Sequence, residues 1–242
     1  MPDREPPVPL LRSPSILVTA EHASNAVPRE WQSLFDGHDQ VLAGHRGWDP
    51  GTSALSERLA DALDAPLLTG RWSRLLVDLN RSERHPRRFS EFTRGLADAD
   101  RRALTDAYWQ PHWNAYADAL ERSAGRLVHL ACHSFTPVLD GKRRSTDVGL
   151  LHDPSRAAET RFCRELQRAL QERLPDAKVH RNQPYRGTSD GIGAWHRRST
   201  GEDRLVTVEI EVNQAWVGGR RWPALKTVVV EAVEQALESI AA

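Results

Sequence analysis

The stretch LVTVEIEVNQ, Leu205 to Gln214, alternates apolar and polar side chains without interruption from Val206 through Asn213. Successive side chains of an extended chain point to opposite faces, so Val206, Val208, Ile210 and Val212 share one side and Thr207, Glu209, Glu211 and Asn213 the other. Helical patterns lie on both sides of this strand. Upstream, Ala158, Phe162, Leu166, Leu170 and Leu174 recur every four positions between Pro154 and Pro175, which marks one helix face. Downstream, PALKTVVVEAVEQALESI opens on Pro223, a residue suited to a first helical turn.

The same alternation continues toward the N-terminus. SILVT (15–19) reads as a buried strand, followed by TSALSERLADAL with Leu55, Leu59 and Leu63 at helical spacing behind Thr52 as a cap. APLLTG and RLLVDLN read as short strands, and a helix that Pro111 bends runs on to about Ser123. RLVHLACHS and DVGLLHD are strand-like, and KVHRNQ is a further strand candidate. Strand and helix in alternation predict an α/β fold, a three-layer sandwich around a mostly parallel or mixed sheet. With no internal repeat and no linker after residue 14, the expectation is one domain over 15–242 behind a Pro-rich segment, 1–14.

Composition narrows the function classes. Lys plus Arg and Asp plus Glu each number 33 in 242 residues, a balance that argues against a nucleic-acid or anionic-membrane protein. The short basic runs HPRRF and GKRR read as solvated loops. Cys132 and Cys163 form no C-x-x-C pair, and Cys163 beside Phe162 reads as a buried thiol in a reduced compartment. No apolar run reaches signal-peptide or membrane-spanning length, so the expected location is the cytoplasm.

Ligands of open α/β sheets bind beyond the carboxyl ends of the strands. Four such ends carry ionisable or amide groups: Glu21 and His22; Asp78, Asn80 and Arg81; His133 and Ser134; Glu209, Glu211 and Asn213. GHRGWDPGT adds His45 and Asp49 just before a helix. His22 and His133 each close an apolar run, so both imidazoles can meet at one edge of the sheet. Two imidazoles, one carboxylate and an open position make a common catalytic zinc site. His129, His152 and His180 also lie on or near strands, so position alone does not single out a ligand.

Asp49 is the preferred third ligand, with a turn or cap role as its alternative, and Glu21 is weaker because it points away from its neighbour His22. The polar face of 205–214 fits either a solvated edge strand or a carboxylate, Glu211, that serves as general base and then proton donor. Arg81 is either a surface ion-pair partner or a clamp for a substrate carboxylate. NQPYRGTSDGIG offers Arg186 on a glycine-rich segment whose spacing matches neither a dinucleotide fingerprint nor a P-loop. ACHSFTP lacks the G-x-S-x-G context that would make Ser134 a nucleophile.

The ordered set EHASNAVP, HRGWDPGT, SRLLVDLNRS, ACHSFTP, NQPYRGTSDG and IEVNQAWV resembles the N-formylglutamate amidohydrolase family over most of the chain. The resemblance implies a fold similar to zinc carboxypeptidases, and metal-dependent hydrolysis of a small N-acyl amino acid to a carboxylic acid such as formate and a free amino acid. It implies that His22 and His133 bind zinc or another divalent ion, that Glu211 is the catalytic carboxylate, and that Asn80 and Arg81 hold the substrate α-carboxylate. Arg74 and Arg186 are the candidates to stabilise the oxyanion. Two departures stand out. Asn25 occupies the place of the glutamate in the carboxypeptidase H-x-x-E pattern, which leaves Asp49 as third ligand. Glu21-His22-Ala23-Ser24 replaces a Pro-His-Ser-Gly motif, which leaves the amino acid of the substrate open. A metal-dependent phosphohydrolase and a metal-free carboxylate-binding module are the rival readings.

Overall fold

A computed structural model of the chain describes residues 15–240. The Pro-rich segment 1–14 lies outside the described residues. In chain order the elements are β1 (Ser15–Ala20), α1 (Asp39–Ala43), α2 (Thr52–Leu63), β2 (Leu67–Thr69), α3 (Asp98–Leu104) and α4 (Gln110–Arg122). There follow β3 (Leu127–Phe135), a hairpin of β4 (Val138–Leu139) and β5 (Lys142–Arg143), β6 (Val148–Leu151) and α5 (Ala157–Arg173). The chain closes with β7 (Val179–Arg181), α6 (Ile192–Arg197), β8 (Leu205–Asn213) and α7 (Trp222–Glu238).

Six strands form one sheet in the order β2-β1-β3-β8-β6-β7. All neighbours pair parallel except β6, which runs antiparallel to β8. The mixed α/β sheet expected from the alternation is therefore present. Its two faces differ in chemistry. On one, Val128, Leu130 and Cys132 of β3 and Val206, Val208, Ile210 and Val212 of β8 pack with α2, α5 and α7 into a continuous apolar core. On the other, Leu17, Leu127 and Leu205 meet Trp109, Trp113 and Tyr116 of the α4 region and Ile192 of α6. Helices on both faces of a sheet make three layers. Both cysteines are free and buried.

β8 settles one of the open readings. It lies between β3 and β6, so its polar face is not the solvated side of an edge strand. Every residue of it except Glu209 is buried.

Residues 74–80, expected to be a strand, form none. Leu75 and Leu76 enter a cluster with Phe35 and Leu104, whereas Val77 and Leu79 join Trp109 and Trp113. The backbone groups of this run find partners outside any ladder: the Trp113 indole donates to the Leu79 carbonyl at 2.9 Å, the Asp78 N–H donates to the Arg88 carbonyl at 2.8 Å, and just past the run the Trp109 indole donates to the Arg81 carbonyl at 2.9 Å. An apolar run buried by irregular packing has the same composition as a buried strand, so periodicity cannot separate them. Two smaller corrections concern helices. Thr52 is the first residue of α2, not its cap; Gly51 holds that place in the left-handed region, φ 86°. In place of the expected single helix bent by Pro111, a π-helical turn, Thr105–Trp109, joins α3 to α4, and Pro111 sits in the first turn of α4.

Candidate active site

The loaded strand ends converge. β1 stops at Ala20, and the carbonyl of His22 accepts the backbone N–H of Asp49 at 2.9 Å, which ties the Gly-flanked turn to the end of that strand. His133, on β3, lies opposite Glu211 of β8 in parallel register. All four side chains are buried.

Nδ1 of His22 and Nδ1 of His133 stand 3.3 and 3.1 Å from the same atom, Asp49 Oδ2. One ligand atom from each of the three residues lies within 4.8 Å of the others. The outer nitrogens face carboxylates: His22 Nε2 is 2.8 Å from Asp78 Oδ1, and His133 Nε2 is 3.1 Å from Glu21 Oε2. A proton held on each Nε2 leaves both Nδ1 lone pairs aimed at one point, the arrangement by which outer carboxylates orient imidazole ligands. Two imidazoles and a carboxylate with such support fit a catalytic zinc ion. Asp49, not Glu21, shares the inner space with the two histidines; Glu21 stands on the far side of His133.

The electrostatics follow from burial and pairing. Burial alone would raise the Asp49 carboxyl, but His22, His133 and Arg74 hold it below its ordinary range. Asp78 is held low in the same way, with Arg74 Nη2 at 2.8 Å. Glu211 goes the other way. Burial, reinforced by Asp49 and Glu209, pushes its carboxyl up to about 8 despite the opposing pull of His133 and Arg74. Its Oε2 has no hydrogen-bond partner among the described residues. A carboxyl poised near neutrality beside a possible metal site has the properties of a general base.

His22, Asp49, His133 and Glu211 line a cavity of about 320 Å³, together with Arg81 and Arg186. Asn80 is held by its own backbone bond to Asp78 Oδ1 at 2.9 Å and by accepting the Ile192 N–H at 2.9 Å. Arg81 is not wholly free: its Nη1 donates to the carbonyls of Asn80 at 3.0 Å and Asp190 at 2.6 Å. That tether fixes the guanidinium at the cavity wall. Arg74 is bound to Asp78 and faces Asp49, whereas Arg186 has no acceptor among the described residues. Buried Arg197 donates to the carbonyls of Gly187 and Thr207, which anchors the Arg186 segment to β8.

The remaining candidates have structural partners. Ser134 Oγ donates to the Pro50 carbonyl at 2.8 Å, and no nucleophile elbow surrounds it. His129 is bracketed by the hydroxyls of Thr19 and Thr207 at 2.8 and 2.6 Å, a satisfied core histidine. His180 meets the Thr146 hydroxyl at 2.9 Å. The residues that reading the sequence left without a role are Asp78 and Glu21 as partners of the histidines. Their contacts join segments far apart in the chain, so spacing carries no sign of them; the only signal is their place at loaded chain ends.

A family model described as N-formylglutamate amidohydrolase matches residues 14–217. A gene product of Agrobacterium tumefaciens of known structure is 28% identical, with a TM-score of 0.79 over 95% of this chain and 92% of its own. The N-formylglutamate amidohydrolase of Ralstonia eutropha has a similar fold at 16% identity, with a TM-score of 0.69 over 94% of this chain and 95% of that one. No curated protein sequence matches the chain. With a match that runs from the first strand past the end of β8 and takes in every residue of the buried cluster, the chain belongs to the N-formylglutamate amidohydrolase family.

Proposed function

We propose that this protein hydrolyses the amide bond of an N-acyl amino acid of the N-formylglutamate kind, with a zinc ion held by His22, Asp49 and His133. The observation that carries the reading is the meeting of two oriented Nδ1 atoms at one oxygen of Asp49, with the unpaired carboxyl of Glu211 in register beside His133. Family membership supports the amide as the bond cleaved. A zinc ion at that point supplies Lewis acidity for the carbonyl and acidifies water.

The chain's own residues do the rest. Asn80 and Arg81 hold the α-carboxylate at the cavity wall, which orients the scissile bond. Glu211 takes a proton from the attacking water as the new C–O bond forms. Arg74 and Arg186 contribute positive charge for the carbonyl oxygen as it becomes negative. When the C–N bond breaks, Glu211 passes the proton to the leaving nitrogen, so the acid and the free amine are released and the carboxylate is restored.

Metal content and turnover test this together. Mass spectrometry of the purified protein is expected to give about one zinc per chain, lost in His22→Ala and in His133→Ala. A panel of N-acyl amino acids, N-formyl-L-glutamate included, is expected to contain a substrate whose hydrolysis needs the metal. No hydrolysis of any member with zinc supplied would overturn the reading.

A further inference from the structure

His133 has two competing partners at one nitrogen. Its Nε2 lies 3.1 Å from Glu21 Oε2 and 3.3 Å from Asn80 Nδ2. The Asn80 amide cannot turn round to resolve this, because its Oδ1 already accepts the backbone N–H of Ile192 at 2.9 Å. The atom facing His133 is therefore the donor NH₂. If Nε2 carries the proton, the nearest acceptor for it is Glu21, whose two buried oxygens have no hydrogen-bond partner among the described residues, and Asn80 is left as a donor facing a donor. If Nε2 is bare it accepts from Asn80, and the carboxylate is left facing a lone pair.

The two partners thus favour opposite tautomers of the neutral ring. With the proton on Nε2, the lone pair is on Nδ1, the nitrogen 3.1 Å from Asp49 Oδ2. With the proton on Nδ1, a metal ion would first have to displace it. A hydrogen bond to a charged acceptor is about twice as strong as a neutral one, so Glu21 outweighs Asn80 at Nε2; Asp49, the charged acceptor on the Nδ1 side, ceases to compete for the proton once it and Nδ1 both bind the metal. The setting sharpens the contest. Glu21 is 0% exposed, and among the described residues its ion-pair partners are His133 and His112, the latter with Nε2 at 3.7 Å from the other carboxylate oxygen. A carboxylate enclosed in this way is costly to bury unless an imidazole N–H meets it.

We infer that Glu21 is a positioning residue that selects the Nε2–H tautomer of His133 against the pull of Asn80 and so keeps Nδ1 open for the metal. This rests on His133 being a metal ligand, as proposed above. The role is held by contact across the ring and needs no contact with substrate.

The test is the zinc dissociation constant, measured by chelator competition, for wild type, Glu21→Met and Glu21→Met/Asn80→Asp. Methionine has a similar size, removes the acceptor and takes away a buried charge, so folding, followed by thermal melts, is not expected to suffer. Glu21→Met is expected to weaken zinc binding 10- to 100-fold, roughly the usual effect of losing an outer-shell partner. Asn80→Asp keeps the oxygen that Ile192 needs and puts a carboxylate on the same imidazole nitrogen, so the double variant is expected to regain most of the loss. Glu21→Gln, which keeps a neutral acceptor, is expected to fall between wild type and Glu21→Met, and it serves as the second probe if methionine harms the fold. Zinc affinity unchanged in Glu21→Met and Glu21→Gln overturns the inference alone, as does a double variant no better than the single one. A wild-type protein that binds no zinc overturns the metal reading and this inference with it.

Discussion

At the scale of single residues the proposed chemistry turns on Glu211. Replacing it with Gln keeps shape and removes the proton carrier, so kcat is expected to fall by roughly 10²- to 10⁴-fold while zinc content stays at the wild-type level. Retained turnover in that variant would remove Glu211 from its role. The same side chain makes a prediction about stability. Burial raises the folded-state carboxyl to about 8, above its value in the unfolded chain. The folded state therefore holds this proton more tightly, and the associated stability is present in full below the ordinary carboxylate range and lost as pH rises through about 8. Metal-free Glu211→Gln cannot ionise. It is expected to melt close to wild type near pH 5 and above it near pH 9, by a shift on the order of a few kcal/mol. Identical melting curves at alkaline pH would show that Glu211 is not the strained group. Sequence alone brought out Glu211 through strand period, but its raised pKa comes from burial in the assembled sheet and from Asp49 and Glu209 nearby, which no local pattern records.

Elements decide where the site opens. β8 was legible because its alternation is unbroken, and the structure adds that it is an inner strand with both faces covered. The run 74–80 misled because side chains, not a neighbouring strand, take up its carbonyls, Trp113 that of Leu79 and Ser90 that of Leu75. Its polar residues still arrive at the site, since the turns after Ser73 carry Asp78 and Asn80 to the two histidines. β6 offers a test at this scale. A Cβ at Gly149 would stand 2.1 Å from the backbone oxygen of Gln183 and 3.3 Å from Cβ of Glu211. Gly149→Ala must therefore push away the segment that carries Tyr185 and Arg186 into the cavity. The expected result is a rise in KM larger than the fall in kcat, read from steady-state kinetics on the substrate the panel identifies. An unchanged KM would mean that this segment does not touch substrate.

For the whole molecule, the metal is expected to act as part of the fold. The proposed ligands come from the end of β1, from the turn before α2 and from β3, so an ion that binds only when these are assembled stabilises the folded state by mass action. At a free zinc concentration one hundred times the dissociation constant the gain is about 2.7 kcal/mol. Treatment with a chelator should lower the melting temperature and added zinc should restore it, whereas His133→Ala should show neither change. A melting temperature indifferent to both treatments in the wild type would count against a metal bound by the assembled site.

What the sequence determined by itself is whatever repeats at short range. Period-two and period-four patterns set the α/β alternation, the inward face of β8 and the polar residues at strand ends, because backbone geometry ties side-chain direction to spacing. The motif order carried the family, and with it the residues named at the site. Tertiary structure alone decided which of those residues meet. Asp49 rather than Glu21 stands between the histidines, Asp78 and Glu21 back them from behind, and 74–80 crosses the sheet end without joining it. These are contacts between segments far apart in the chain. They arise from packing and from the need to satisfy every buried polar group, constraints that act on the assembled core and leave no period in the sequence.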